Sequence, residues 1–201
     1  MKAATVGAVE NGNSVVLVTV GADRAVLDRR RVDLTEGLPT HPYHHEGAWA
    51  VGRYLDAPWA KPMSLPDAIA LVERVQAAAR AGASAALGAL AASVSLPIRA
   101  IAIRRCPPLP ATTEARIRDN RAQSMADSIM YREALGMAAE ANGWTVEWYD
   151  RERVNRDAAA VLGSADVEAF VKAMGSRLGP PWQAAHKLAA AAAIAASGRG
   201  S

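Results

Sequence analysis

Residues 3–34 read AATVGAVENGNSVVLVTVGADRAVLDRRRVDL, and this stretch decides the architecture. Residues 3–10 combine small and β-branched side chains, as a strand does. Asn11-Gly12 follows. A two-residue hairpin turn of type I′ needs positive φ at both central positions, and this pair supplies it with little strain. Residues 14–20, SVVLVTV, give a second strand, and Gly21-Ala22-Asp23 turns the chain again. Residues 25–34 give a third, with Val26, Asp28, Arg30 and Val32 on one face and Leu27, Arg29, Arg31 and Asp33 on the other. Its imperfect alternation predicts an edge strand. The chain therefore opens as an antiparallel three-stranded meander.

Downstream the pattern changes. Residues 36–66 are irregular, with five prolines and three glycines, and a loop of that length inside a domain is usually functional or partly helical. Ser64-Leu-Pro-Asp67 is a helix start, with Ser64 as the cap and Asp67 placed to favour the helix dipole; the helix runs to about Ala92. Ile98–Ile103 is a fourth strand, ended by Cys106-Pro-Pro-Leu-Pro110. A helix is predicted over roughly Ala115–Ala141, closed by Asn142-Gly143. Thr145–Tyr149 is a fifth strand, and two helices follow near 165–174 and 182–197. The order β-β-β-α-β-α-β-α-α is α/β with a mixed five-stranded sheet; a doubly wound sheet would begin βαβ. No repeat or linker divides the chain, so a single domain over 1–201 is expected, carrying a His/Pro/Trp-rich insertion at about 36–63.

Bulk properties set the class. Of 201 residues, 51% are hydrophobic and 21% charged, which is globular composition and not that of a disordered chain. The formal charge of +3 permits a polyanionic partner without demanding one. Cys106 is the only cysteine, so no intramolecular disulfide can form and a reducing, cytoplasmic location is expected. The first residues, MKAATVGAVENG, lack a signal-peptide pattern, and the alanine-rich run 188–196 is too short to span a bilayer, so no membrane association is expected. No phosphate-cradling loop, dinucleotide fingerprint or serine-hydrolase elbow is present.

Several segments together resemble the ribonuclease H-like superfamily, and within it the RuvC-type Holliday-junction resolvases. Val6-Gly7-Ala8-Val9-Glu10-Asn11-Gly12 and the apolar strand after it are similar to the opening hairpin of that group. Ala100–Ile103 is similar to its fourth strand, and Asn120-Arg-Ala-Gln123 to the start of the following helix. Val146-Glu-Trp-Tyr149-Asp150-Arg-Glu-Arg153-Val154 resembles the fifth strand and its basic exit. Trp182-Gln-Ala-Ala-His186-Lys resembles the start of the last helix. The resemblance implies a ribonuclease H-like fold, a divalent metal (Mg²⁺ or Mn²⁺), a DNA or RNA partner and a homodimer. It also implies an aspartate in the first strand, a glutamate at the end of the fourth, and aspartates or a histidine at the last helix. Here the first strand has Val9 with Glu10 beside it, the fourth ends in Arg104-Arg105-Cys106, and the last helix offers Gln183 and His186.

In this topology the C-terminal ends of the first, third and fourth strands share one rim. Glu10, the loop Thr40-His41-Pro-Tyr43-His44-His45-Glu46, Arg104, Arg105, Cys106 and His186 are expected there. Glu10, His44, Glu46 and His186 are the candidate catalytic residues, and Glu10, His41, His44, His45 and His186 the candidate metal ligands. Imidazole ligands suit Zn²⁺ or Mn²⁺, and a neutral histidine can act as a general base. The competing interpretation is a polar surface loop whose histidines bond locally. Arg104, Arg105, Arg118, Arg121, Arg151, Arg153 and Lys187 are the candidate contacts to nucleic acid, against the alternative of solvated faces paired to nearby acids. Trp49, Tyr54 and Trp59 suit base stacking or, more commonly, pinning a long loop. Cys106 is either an activated thiol beside two arginines or an inert buried one.

Two functions stay open on the sequence. One is a divergent nucleic-acid-processing enzyme, a metal-dependent endonuclease on structured DNA or RNA. The other is a catalytically degenerate nucleic-acid-binding or protein-assembly module. The missing acid of the fourth strand favours the second, and the histidine loop favours the first.

Overall fold

In the computed structural model, which describes residues 2–176 and 178–199, the meander is built by β1 (Ala4–Asn11), β2 (Ser14–Val20) and β3 (Val26–Asp33). Asn11 pairs with Ser14 across the predicted turn, where Gly12 has φ of 60°. β4 (Ile98–Arg104) then lies parallel to β1, and β5 (Thr145–Tyr149) parallel to β4. The strand order is β3-β2-β1-β4-β5, so β3 is an edge strand as its alternation predicts. The sheet is the mixed five-stranded sheet of a ribonuclease H-like fold.

Side-chain alternation sorts the strands onto two cores. Val6, Ala8, Val15, Leu17, Ile101 and Ile103 face α2 (Leu65–Ser93) and α4 (Asn120–Ala141). Val16, Val18, Val20, Ala102 and Tyr149 face α7 (Ala184–Ser197), backed by α5 (Val154–Leu162) and α6 (Val167–Ser176). Helix α7 is largely alanine and lies close on the sheet. A Cβ on Gly7 would collide with the backbone carbonyl of Ala189, so the small residues on both sides set the spacing. Gly82 does the same for α2, whose backbone there meets the Leu34 carbonyl.

Three segments differ from expectation. The helix predicted over 115–141 is two, α3 (Thr113–Arg118) and α4, because Asp119 is extended at φ −97° and ψ 112° and its carboxylate accepts the N–H groups of Arg121 and Ala122. That is an N-cap inside an apparently continuous periodicity. Helix α5 was not anticipated; it buries Val154 and Ala158 and ends at Gly163 in the left-handed region. The insertion is partly helical, with a π-helical turn over Pro42–Gly47 that runs into a single turn, α1 (Ala48–Ala50). Among the described residues no helix is long and apolar enough to cross a membrane.

Candidate functional site

Even-numbered residues of β1 face α4, which carries Glu10 to Arg132. The guanidinium donates a hydrogen bond to the Glu10 carboxylate, and the two side chains are only 9% and 7% exposed. Arg132 also reaches the Arg105 carbonyl, at 3.4 Å. Burial opposes the charge on Arg132, but Glu10 outweighs it and holds the guanidinium protonated, above its usual range. Burial pushes the neighbouring Cys106 thiol up, with Arg132 only partly opposing, so this cysteine is not an activated thiolate. Tyr149, buried beside the pair, is pushed up to about 12, and its hydroxyl donates to the Ala8 carbonyl at 3.4 Å.

Val9, on the opposite face of β1, looks toward the start of α7. A cleft of about 420 Å³ lies there, lined by Val9, Asn11, Arg151, Asn155, Ala185 and Leu188, with Glu10 as its only carboxylate. That carboxylate is engaged by Arg132. The end of β4 supplies Arg104, Arg105 and Cys106, and the first turn of α7 supplies Ala184 and Ala185. A divalent ion of the kind the resemblance implies needs several hard oxygen ligands. The residues present do not fit it. Among the described residues, no three His, Cys, Asp or Glu side chains are arranged to hold a metal ion.

The four histidines do not gather. On the insertion His45 adjoins both His41 and His44, with ring centroids 5.7 and 5.3 Å away. Their anchor is Asp127 of α4, whose carboxylate accepts the backbone N–H groups of Tyr43 (2.9 Å) and His44 (3.2 Å) and lies 3.8 Å from His41 Nδ1. Burial pushes Asp127 up to about 7; those two N–H groups pull it back down, and nearby Glu46 adds to the rise. Burial and the neighbouring imidazoles hold His41 below the ordinary histidine value. Burial, His45 and Arg53 do the same to His44, while burial raises Glu46. His186 sits in the other layer, on α7. Its Nδ1 accepts the Gln183 N–H at 3.2 Å in a reciprocal helix cap, and its ring packs on Trp182. The expected set of Glu10, His41, His44, His45, Glu46 and His186 is thus split by an ion pair, by a carboxylate-anchored turn and by the sheet itself.

Of the basic candidates, Arg104 and Arg105 do converge. With Arg132, Ser124, Ser128 and Pro107 they line a cleft of about 240 Å³ that no carboxylate enters. Within a strand, adjacent residues point to opposite faces. Arg105 lies past the end of β4 and escapes that rule. Arg121 lines an adjoining cleft with Pro107, Pro110 and Asp119. Arg118 is paired to Glu114 at 2.8 Å on the surface. Arg151 lies on the α7 side, Arg153 is exposed before α5, and Lys187 is half-buried on α7. Asp127 and Arg132, which the sequence offers only as charges of a solvated helix face or, for Arg132, as a phosphate contact, are both buried. Their signal was available: Arg132 stands three residues from both Ile129 and Leu135, so a charge sits on the buried stripe of α4.

No family model matches the chain, and no curated protein matches it in sequence. Solved structures match it in shape. The structure of T. thermophilus RuvC in complex with a Holliday junction substrate has a TM-score of 0.50 at 13% identity, covering 97% of this chain and 92% of that one. Another Thermus thermophilus RuvC structure has a TM-score of 0.48 at 12% identity, covering 96% and 93%. The fold of this chain is ribonuclease H-like, of the RuvC type.

Proposed function

We propose that this protein binds structured nucleic acid on a RuvC-like scaffold whose strand-end centre contains an internal ion pair in place of a catalytic metal ion. The observation that carries the binding half is the cleft where Arg104 and Arg105 meet Ser124 and Ser128, with no carboxylate in its lining and Arg132, already paired to Glu10, at its base. Guanidinium forks and hydroxyl donors match phosphodiester oxygens in geometry and charge. The RuvC structure solved with a Holliday junction supports branched DNA as the first substrate to try.

The non-catalytic half rests on Glu10. A carboxylate that would help hold a divalent cation is neutralised by Arg132, and its neighbours along the rim are Val9, Arg104 and Arg105. The resemblance favours a metal-dependent endonuclease, but the donor set gives no route to one, so binding is the activity supported. A second copy of the chain is a further proposed partner, on the resemblance alone, and sedimentation with and without junction DNA tests it.

Anisotropy titrations with a labelled four-way junction across a salt series test the binding half. Wild type should bind, with log K falling linearly with log salt. An Arg104→Ala plus Arg105→Ala variant should lose roughly tenfold in affinity and about two units of slope, the signature of two lost phosphate contacts. Equal affinity and equal slope would place the nucleic acid elsewhere or nowhere.

A further inference from the structure

The insertion presents a face that neither the ion pair nor the arginine cleft uses. His45 and Trp49 lie nearly parallel, with 14° between their planes and centroids 6.4 Å apart. Trp49 and Tyr54 both pack on Trp59, at 6.2 and 5.6 Å. Arg53 stands 5.4 Å over the Tyr54 ring. An aromatic group that only pinned the loop would turn its largest ring inward. Trp59 is 57% exposed, more than any other large apolar side chain among the described residues. A purely structural cluster would also satisfy its polar atoms. Here Trp49 Nε1, His44 Nδ1 and Glu46 Oε2 are buried with no hydrogen-bond partner among the described residues.

The face is joined to the arginine cleft. Arg53 donates to Gln123 Oε1 at 2.9 Å and to the Asn120 carbonyl at 3.3 Å, on the first turn of α4. The following residues of that helix, Ser124 and Ser128, line the cleft. The first turns of α4 therefore hold Arg53, which stacks on the aromatic face, and also supply the serines of the basic recess. We infer that His45, Trp49, Tyr54 and Trp59 stack unpaired bases of a strand whose backbone enters the arginine cleft, an inference that rests on the nucleic-acid reading above. Every base has a π-face, so the contact is tolerant of sequence, and Arg53 adds a cation that suits both ring and phosphate. The substrate class is then a branched or flapped nucleic acid with exposed single strand, not plain duplex.

The test compares two DNA probes, a blunt duplex and the same duplex with a short unpaired oligothymidine flap, on wild type, Trp59→Ala and Trp59→Phe. Wild type should bind the flapped probe about tenfold tighter. Trp59→Ala should lose that preference while its blunt-duplex affinity, which also reports an intact fold, stays unchanged, and Trp59→Phe should recover most of it. A flap preference that is absent in wild type or unchanged in Trp59→Ala, with duplex still bound, overturns this inference and leaves the cleft reading standing. No binding of either probe by wild type overturns this inference, and no binding of the four-way junction as well overturns both.

Discussion

Arg132 of α4 holds the Glu10 carboxylate of β1 in a buried, charge-assisted hydrogen bond, at the strand end where the resemblance places metal-binding acids. The pair explains why an acid persists beside Val9 without serving a cation. Its energetics are testable. Removing one partner of a buried pair strands the other charge and costs about 3–5 kcal/mol, whereas replacing both by apolar residues of similar size is close to neutral. Urea unfolding should therefore show Arg132→Met strongly destabilised and Glu10→Leu plus Arg132→Met restored to within about 1–2 kcal/mol of wild type. A double variant as unstable as the worse single one would mean that the pair is not a closed unit.

Asp127 gives a pH signature. Its folded-state pKa of about 7 stands above the 3.8 of the free group, so the folded protein holds this proton more tightly than the unfolded chain. The contribution is fully present below about pH 4 and is lost as pH rises through 7. His41, His44 and His186 work in the opposite sense, since their lowered values remove stability as pH falls below the ordinary histidine range. Asp127→Asn isolates the first effect. The stability difference, wild type minus variant, should fall by on the order of 4 kcal/mol between pH 4 and pH 8. A difference that stays flat would show that Asp127 is ionised throughout.

Close packing of α7 on β1 gives a third expectation. Gly7→Ala should cost at least about 1–3 kcal/mol, because the new methyl group meets the Ala189 backbone and not a side chain that can move. Thermal melting should place this variant well below wild type, while Gly88→Ala on α2, where a Cβ meets nothing within 4 Å, should melt at or above wild type because alanine is the better helix former. Equal melting temperatures would contradict the spacing argument.

The meander was legible because each of its signals is local. Asn11-Gly12 specifies the turn, SVVLVTV the buried strand, and the poor alternation of 25–34 the edge. The mixed five-stranded sheet followed from that beginning. What was not legible depends on which layer a helix occupies. Glu10 and Val9 differ by one residue, yet alternation sends one to α4 and the other to α7, and nothing local says which helix carries a cation to meet Glu10. Likewise, topology put His186 at the correct end of the sheet but could not say that α7 and the insertion lie on opposite faces. Asp119 hid inside a helical periodicity, since its capping role shows only in the backbone angles. Arg104 and Arg105 were legible as candidate contacts, but their convergence was not, because Arg105 lies past the end of β4, where strand alternation no longer orients it.

On the function proposed above, the ion pair stands in place of a catalytic metal centre on a scaffold that binds branched DNA. The most direct measurement incubates a labelled four-way junction with wild type in Mg²⁺ or Mn²⁺ and resolves the products on both native and denaturing gels. A shifted complex on the native gel and full-length strands on the denaturing gel are expected. Metal-dependent strand cleavage that Glu10→Gln abolishes while junction binding persists would contradict that function.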